Sequence, residues 1–422
     1  MEAIIERAAG LDVHQGSVVA CVILGATERR PTREVRSFGT MRQDLAALRA
    51  WLLERGVTHV GMEGTGVYWQ PVHAALEGAL TVIVGNAAHM RTVPGRKTDV
   101  RDAEWIAELV RHGLGRASFV PPPPVRVLRE LVRHRKALVG TMAAERNRTL
   151  KLLESAGVKL AGVMSSVFGV SGMLMLRALA EGRAAPAEMA DLAKRRLRRK
   201  MDRLALALDG PLAEHQRLLL RMHIRRLEEI GRDIAEVEAA INVAMRPFAA
   251  QQALLVTIPG VDALTAASII AEIGVDMAAF GTAQRLAAWA GICPASHESA
   301  GKQKRRGTRK GNPYLKATLV TAAVCGARTQ GTLPAITSKR RSSARCRLRT
   351  WPPSSPVTTG SAAAAGLFTV SAALAACTTS APTRNVLLRT VLACRTPPIG
   401  SSSDNNTATL PNGAMAAYRA VT

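Results

Sequence analysis

Between residues 8 and 25 apolar positions alternate with small or polar ones. Leu11 and Val13 precede the stretch His14-Gln15-Gly16, and Val18, Val19, Ala20, Cys21, Val22 and Ile23 come after it, which predicts two short strands joined by a turn. The period then lengthens. Leu45, Leu48, Leu52 and Leu53 recur at helical spacing, succeeded by a strand over Thr58–Met62, a helix through Val72 and Leu76, and a strand over Leu80–Val84. A hairpin and then strands separated by helices predict a mixed α/β sheet.

The run Pro121–Pro124 is a stiff, extended break, after which the chain turns helical and basic through Arg133, Arg135, Lys136, Arg146 and Arg148. The first domain, residues 1–155, is expected to close after that helix. Residues 156–250 read as a helical, coiled-coil connector. Within it Leu227, Ile230, Ile234, Val237, Ile241 and Ala244 step by three and four along a seam that starts at Leu220 and is interrupted by His223. Such a seam suits a coiled-coil dimer and a helix packed on its own chain equally well. Residues 251–332 form a small, mostly α domain, in which the turn Ile258-Pro259-Gly260-Val261 precedes the apolar helix Ala263–Ile273. That turn resembles a helix-hairpin-helix element, whose backbone N–H groups can hold a DNA phosphate, and it is also an ordinary corner between helices.

After about residue 332 the pattern is lost. Residues 333–422 are rich in Ser, Thr, Ala and Pro, with ten basic residues and one acid, Asp404, and show neither helical nor strand periodicity. This irregular tail is expected to be either disordered or an out-of-frame reading. Its +9 leaves +16 of the formal net charge of +25 on residues 1–332, so the basic balance belongs to the body of the chain. A polyanion is therefore the leading partner, and nucleic acid the first candidate. At 422 residues the chain can bury two cores. Six cysteines without a CxxC pair or zinc-ligand spacing support neither a disulfide framework nor a structural zinc. The charged start MEAIIERAAG argues against a signal peptide, and the apolar stretch from Ser361 to Cys377 is too short for a spanning helix. A cytoplasmic protein without membrane contact is expected.

Four acids stand out. Asp12 falls in the first strand, Glu63 ends the strand HVGME, and Asp99 and Asp102 begin the helical block DVRDAEWIAELVRHG, three apart and so on one face. In an RNase H-like sheet the first strand and the later one are neighbours, and a subsequent helix can carry its carboxylates over their ends. Four such groups could hold two Mg²⁺ ions about 4 Å apart, one activating an attacking oxygen and one stabilising the leaving oxygen of a phosphodiester. Taken singly, Asp99 and Asp102 could equally cap their helix, and Glu63 could be a loop acid.

The words GLDVHQ, VGMEGTGVYW, GRKTDVRDAEWIAELVRHG and LAAWAGICPASHESAGKQKRRGTRKGNPYLKATLV, spread over about residues 8–330, resemble the DEDD-type insertion-sequence transposases. This "IS-one-ten" group includes Piv-type DNA invertases and bridge-RNA-guided recombinases. The resemblance implies a RuvC-like nuclease domain whose acids are Asp12, Glu63, Asp99 and Asp102, with Mg²⁺ as the metal and Mn²⁺ able to replace it. It implies a nucleophile at Ser299 in HESAGK, a serine that becomes joined to DNA. It also implies donor and target double-stranded DNA, a noncoding bridge RNA, and homodimers or homotetramers in which one subunit's acids work with another's serine. The basic residues around that serine, Lys302, Lys304, Arg305, Arg306, Arg309 and Lys310, read either as a solvated loop or as a phosphate clamp, and the clamp is favoured because Gly301, Gly307 and Gly311 allow close backbone approach. His14, His89 and His297 lack ligand-like spacing and are expected to be structural, and Tyr68 and Trp69 to pack rather than stack on bases. Two rivals remain: a RuvC-like structure-specific endonuclease that uses water in place of Ser299, and an inactive nucleic-acid-binding remnant. The second is favoured by the tail, since members of the group usually continue past NPYLKATL with a basic, patterned segment.

Overall fold

The computed structural model describes residues 3–25, 31–64, 66–85, 99–115, 117–182, 184–293, 298–299, 302–303, 308 and 310–328, so the irregular tail lies outside the described residues. The chain divides into two compact units, Met1–Pro123 and Pro124–Thr422. The division falls within the four-proline run, earlier than the expected close at residue 155, because the helix after the prolines packs with the helices of the second unit.

The first unit is built on a five-stranded sheet in the order β3-β2-β1-β4-β5. β1 (Arg7–Val13) and β2 (Ser17–Leu24) form the expected antiparallel hairpin. β4 (His59–Glu63) and β5 (Thr81–Gly85) add in parallel beside β1. β3 (Thr32–Gly39) was not foreseen. It pairs antiparallel with β2 at the sheet edge and buries only Phe38 fully, so the apolar alternation that marks a half-buried strand is missing from TREVRSFG.

Strand alternation sends successive side chains to opposite faces, and each face has its own cover. Ala9, Leu11, Val18, Ala20, Val22, Val60 and Met62 meet α1 (Arg42–Glu54) and α2 (Trp69–Leu76) in one apolar cluster. From α1 this cluster takes Leu45, Leu48, Trp51 and Leu52, each burial stabilising by roughly 1.5–3 kcal/mol. Leu53, placed by spacing on the same stripe, is exposed. The helix starts where the Asp44 carboxylate accepts the Met41 N–H, and it stops at Gly56, whose φ of +63° a side chain would resist.

On the other face Val19, Cys21 and Ile23 pack against Ala103 and Ala107 of α3 (Asp99–Arg111). The approach is close because the strands beneath carry glycines. A Cβ on Gly10 would stand 2.2 Å from the Ala103 carbonyl oxygen and 2.3 Å from the Ala107 nitrogen, and one on Gly61 would stand 2.4 Å from Val110 Cγ2. Helix α3 thus lies directly on β1 and β4, and the sheet is covered on both faces.

The second unit is mostly helical. α4 (Pro123–Ser155) and the Glu214–Ala244 helix run antiparallel between two apolar clusters. Val125, Leu128 and Val132 meet Ile241, Met245 and Ile270 in one cluster, whereas Leu153 meets Leu220, Ile224, Met175 and Leu204 in the other. Both ends of the connector seam therefore pack within the chain, while Ile230 and Ile234 at its middle are only half-buried. His223, which breaks that seam, faces the buried Glu145 of α4, with Nδ1 at 2.6 Å from the carboxylate. Burial pushes the Glu145 carboxyl up, but the hydrogen bonds from His223 and Arg148 and their nearby charge outweigh it and hold the group below its ordinary value.

Candidate functional site

The first constellation grows out of the sheet register. Gly10 lies opposite Gly61 and Leu11 opposite Met62 in the parallel pair β1–β4, so Asp12 and Glu63 are the next residues along, at the C-terminal ends of neighbouring strands. Both fall on the α3 face: Asp12 pairs with Val19, which packs under α3, and Glu63 is two residues beyond Gly61, which touches α3. The direction of α3 is set by its far end. The Arg111 carbonyl accepts N–H groups from Ile4 and Ile5, just before β1 begins, so the other end of the helix, with Asp99 and Asp102, extends toward the ends of β1 and β4. Asp102 directly precedes Ala103, which touches Gly10.

The arrangement thus brings Asp12 and Glu63 to one edge beneath the helix end that carries Asp102. Asp99 begins that helix, but its side chain lies outside the described residues. Among the described residues no group of three or more His, Cys, Asp or Glu side chains is close enough to hold a metal ion. Asp12 is largely buried and lies 3.1 Å from His14 Nε2, a contact that spacing alone did not reveal. Trp69 packs partly buried against the core, edge-on to His73 with ring centres 5.7 Å apart. Tyr68, expected to pack, is 46% exposed, because it precedes the helix on the solvent side of the turn.

Cys21 occupies the same face under α3. Burial first, then the carboxylates of Glu104 and Glu108, pushes its thiol up to about 11, with Arg33 opposing them. Arg33 is itself paired with Glu108.

Ser299 belongs to the second unit. It lies in the strand Glu298–Ser299 and pairs in register with Lys302 of the strand Lys302–Gln303. Lys310 is exposed, while Lys304, Arg305, Arg306 and Arg309 lie outside the described residues, as do His89 and His297. The two feet of this loop meet: a Cβ on Gly311 would stand 2.3 Å from the Gly291 nitrogen, and the Asn312 N–H donates to the Trp289 carbonyl. Asn312 then caps the Pro313–Gly326 helix, its Oδ1 accepting from the N–H groups of Tyr314 and Leu315, and its Nδ2 donating to Glu272 at 2.6 Å.

Glu272 is the anchor. It is buried on the Ala263–Ile273 helix, and Arg133 of α4 donates to both its oxygens at 2.8 Å in a fork-to-fork pair. Burial pushes its carboxyl up, but Arg133, Asn312 and Arg129 together hold it below the ordinary range. Arg133 also stacks over the Tyr314 ring at 4.3 Å. Sequence reasoning missed this network, although one signal was present: a lone acid inside ALTAASIIAEI, where burial demands a cation.

The Pro-Gly turn joins the Ala249–Val256 and Ala263–Ile273 helices as expected. Gly260 has φ +86°, and a Cβ there would stand 2.1 Å from the Ala322 carbonyl oxygen, so the turn is packed against the Pro313–Gly326 helix. The Ala263–Ile273 helix is capped by the Asp262 carboxylate, which accepts the Thr265 N–H at 2.7 Å and would repel a phosphate there.

A mixed α/β sheet followed by a mostly helical region is consistent with a DEDD transposase, and comparison with known families points to that class. A DEDD transposase family model matches residues 9–157, and the model described as "Transposase IS116/IS110/IS902 family" matches residues 252–337. A curated relative, "Probable family 20 transposase" of Pseudomonas aeruginosa, is 28% identical over 232 residues, covering 55% of this chain. The chain spans 60% of that relative's length. The chain belongs to the IS110-type transposase family.

Proposed function

We propose that this chain cuts and rejoins DNA strands as the transposase of an insertion sequence, with Asp12, Glu63, Asp99 and Asp102 holding two Mg²⁺ ions and Ser299 as the nucleophile. The observation that carries this reading is the placing of Asp12 and Glu63 at the ends of adjacent strands, on the sheet face covered by the helix that begins with Asp99 and Asp102. Their neighbourhood also supports an RNase H-like, RuvC-like reading of the sheet, in which the first strand and the later one adjoin. The donor set fits the cation, since carboxylate oxygens are the hard ligands that Mg²⁺ and Mn²⁺ take. Such ions, when bound, supply charge stabilisation to a phosphodiester undergoing displacement.

The protein's own groups do the rest. His14 orients Asp12, and close carboxylates raise one another's cost of ionisation until a cation is present. The Ser299 oxygen attacks a backbone phosphorus, forming a serine phosphodiester and releasing a DNA hydroxyl, and a hydroxyl of another strand reverses the step to rejoin. Lys302, Lys304, Arg305, Arg306, Arg309 and Lys310 neutralise the phosphates around that serine. Base pairing with a bridge RNA selects donor and target, and homodimers or homotetramers bring one subunit's acids to another's serine. Among the described residues no helix is long and apolar enough to cross a membrane, and the reading sets the protein to work in the cytoplasm on the nucleoid.

The test incubates the full chain with donor and target DNA, candidate flanking RNA and Mg²⁺, scoring rejoined products and covalent adducts. Asp12→Ala and Ser299→Ala should each abolish both. Cleavage retained by Ser299→Ala without adducts would mean a water-using nuclease, and binding without metal-dependent cleavage an inactive remnant.

A further inference from the structure

Between the two family-matched stretches lies a basic cavity that the proposed strand chemistry does not use. It has a volume of about 860 Å³ and is lined by Val163, Met164, Ser165, Ser166 and Gly169, by the first turn of the Val170–Glu181 helix, and by Lys194, Arg195, Arg196, Leu197 and Lys200. Four cations and three serines line it, and no acid does.

The charge is uncompensated. Elsewhere in this unit basic side chains meet carboxylates, as Arg133 does Glu272, Arg135 Glu238, and Arg177 Glu228. Lys194, Arg195, Arg196, Arg198, Arg199 and Lys200 are all exposed, and among the described residues none of them pairs with a carboxylate. Six cations in seven residues repel one another, and although water and salt screen that repulsion, an anion brought from outside would relieve it further. The rim is nonetheless fixed: the Lys194 N–H donates to Ser171 Oγ at 3.0 Å, and Lys200 Nζ to the Val163 carbonyl at 2.8 Å. The adjoining helix starts at Gly169, which offers no side chain to its first N–H groups, so the field there also favours negative charge.

Shape selects among anions. A duplex presents its phosphates on a convex surface, whereas this site is concave, with cations at the rim, Met164 buried at the floor, Val163 and Leu197 half-buried beside it, and Val170 exposed at the edge. Charge at the edge over an apolar floor suits a strand whose bases can leave the stack. We infer that this cavity is a binding site for an unpaired nucleic-acid strand, taking backbone phosphates on Lys194, Arg196 and Lys200 and a base against the apolar floor. The inference rests on the nucleic-acid side of the proposed function, and it concerns binding alone.

The test uses the full chain in chelator, so that no strand is cut, with labelled single-stranded RNA, single-stranded DNA and duplex DNA of one sequence, read by fluorescence anisotropy across a salt series. Lys194→Gln/Arg196→Gln/Lys200→Gln should bind a single strand about tenfold more weakly near physiological salt, with the slope of log K against log salt shallower by about two. Ser165→Asp keeps both rim hydrogen bonds but brings a carboxylate to the cavity wall, and it should weaken the same strand. Loss confined to RNA identifies the strand as RNA, and loss confined to single-stranded DNA as DNA. Unchanged affinity and slope for both single strands, or a loss seen only with duplex, would overturn the inference. Because strand transfer is read separately with Mg²⁺, either reading can fail without the other.

Discussion

Gly10→Ala is a one-carbon perturbation aimed at the seat of α3. The backbone of β1 tolerates alanine, so any effect is steric. The new methyl would start 2.2 Å from the Ala103 carbonyl oxygen and 2.3 Å from the Ala107 nitrogen, both main-chain atoms that no side-chain rotation can move aside. Ordinary contact requires the helix to retreat by about 1 Å, and overpacking of this kind costs roughly 1–3 kcal/mol. The retreat also carries Asp102 away from Asp12 and Glu63, and a misplacement of about 1 Å can cost on the order of a hundredfold in rate. Gly61→Ala should be milder, since its methyl meets side-chain atoms of Val110 and Ile106. Gly16→Ala, with nothing within 4 Å, should be silent. Urea unfolding read by tryptophan fluorescence gives the stability order, and strand transfer with Mg²⁺ the activity order. If Gly10→Ala matches Gly16→Ala in both, then α3 is not seated on β1 and the acidic edge is not assembled as described.

Glu272→Ala leaves the half-buried Arg133 and the Asn312 amide without their carboxylate partner, so the second unit should lose roughly 1–3 kcal/mol, read as a lower urea midpoint. Glu272 and Glu145 both titrate below the unfolded carboxyl value of about 4.3. The stability they contribute is therefore complete above that value and is lost as pH falls through their folded values. The urea midpoint should stay flat from about pH 7 to 5 on their account and drop below about pH 4, less steeply in Glu272→Gln, and equal slopes in the two proteins would remove Glu272 from the account. Cys21, buried with its thiol pushed up to about 11, should resist iodoacetamide in the native protein at mildly alkaline pH, while the exposed Cys325 reacts. Rapid labelling of Cys21, mapped by mass spectrometry, would contradict the packing of α3.

Much of the first unit was legible because its signals are local. The β1–β2 hairpin, α1, β4, α2 and β5 each announce themselves by a period of two or 3.6 among neighbouring residues. β3 did not, because an edge strand exposed along most of its length has no apolar alternation to show. The acids Asp12 and Glu63 could be picked out as a type, yet no spacing says that residues 51 apart end on adjacent strands. The pairing of His14 with Asp12, the fork of Arg133 on Glu272 and the His223–Glu145 contact are equally silent, since each joins groups whose proximity depends on where whole elements pack.

The sequence by itself determined most strands and helices of the first unit, that the chain is strongly basic, which acids and which serine are chemically suited to phosphodiester work, and that the pattern fails after residue 332. Only the tertiary structure decided that the two ends of the Leu220–Ala244 seam pack inside their own chain, that the Pro-Gly turn is packed against a helix, and that four cations on either side of residue 197 line a cavity. The physical reason is that periodicity fixes which side of an element is apolar. What that side meets depends on close approach, as at Gly10 and Gly61, and on buried charge finding its partner, as at Glu272, and both are set by contacts far apart along the chain.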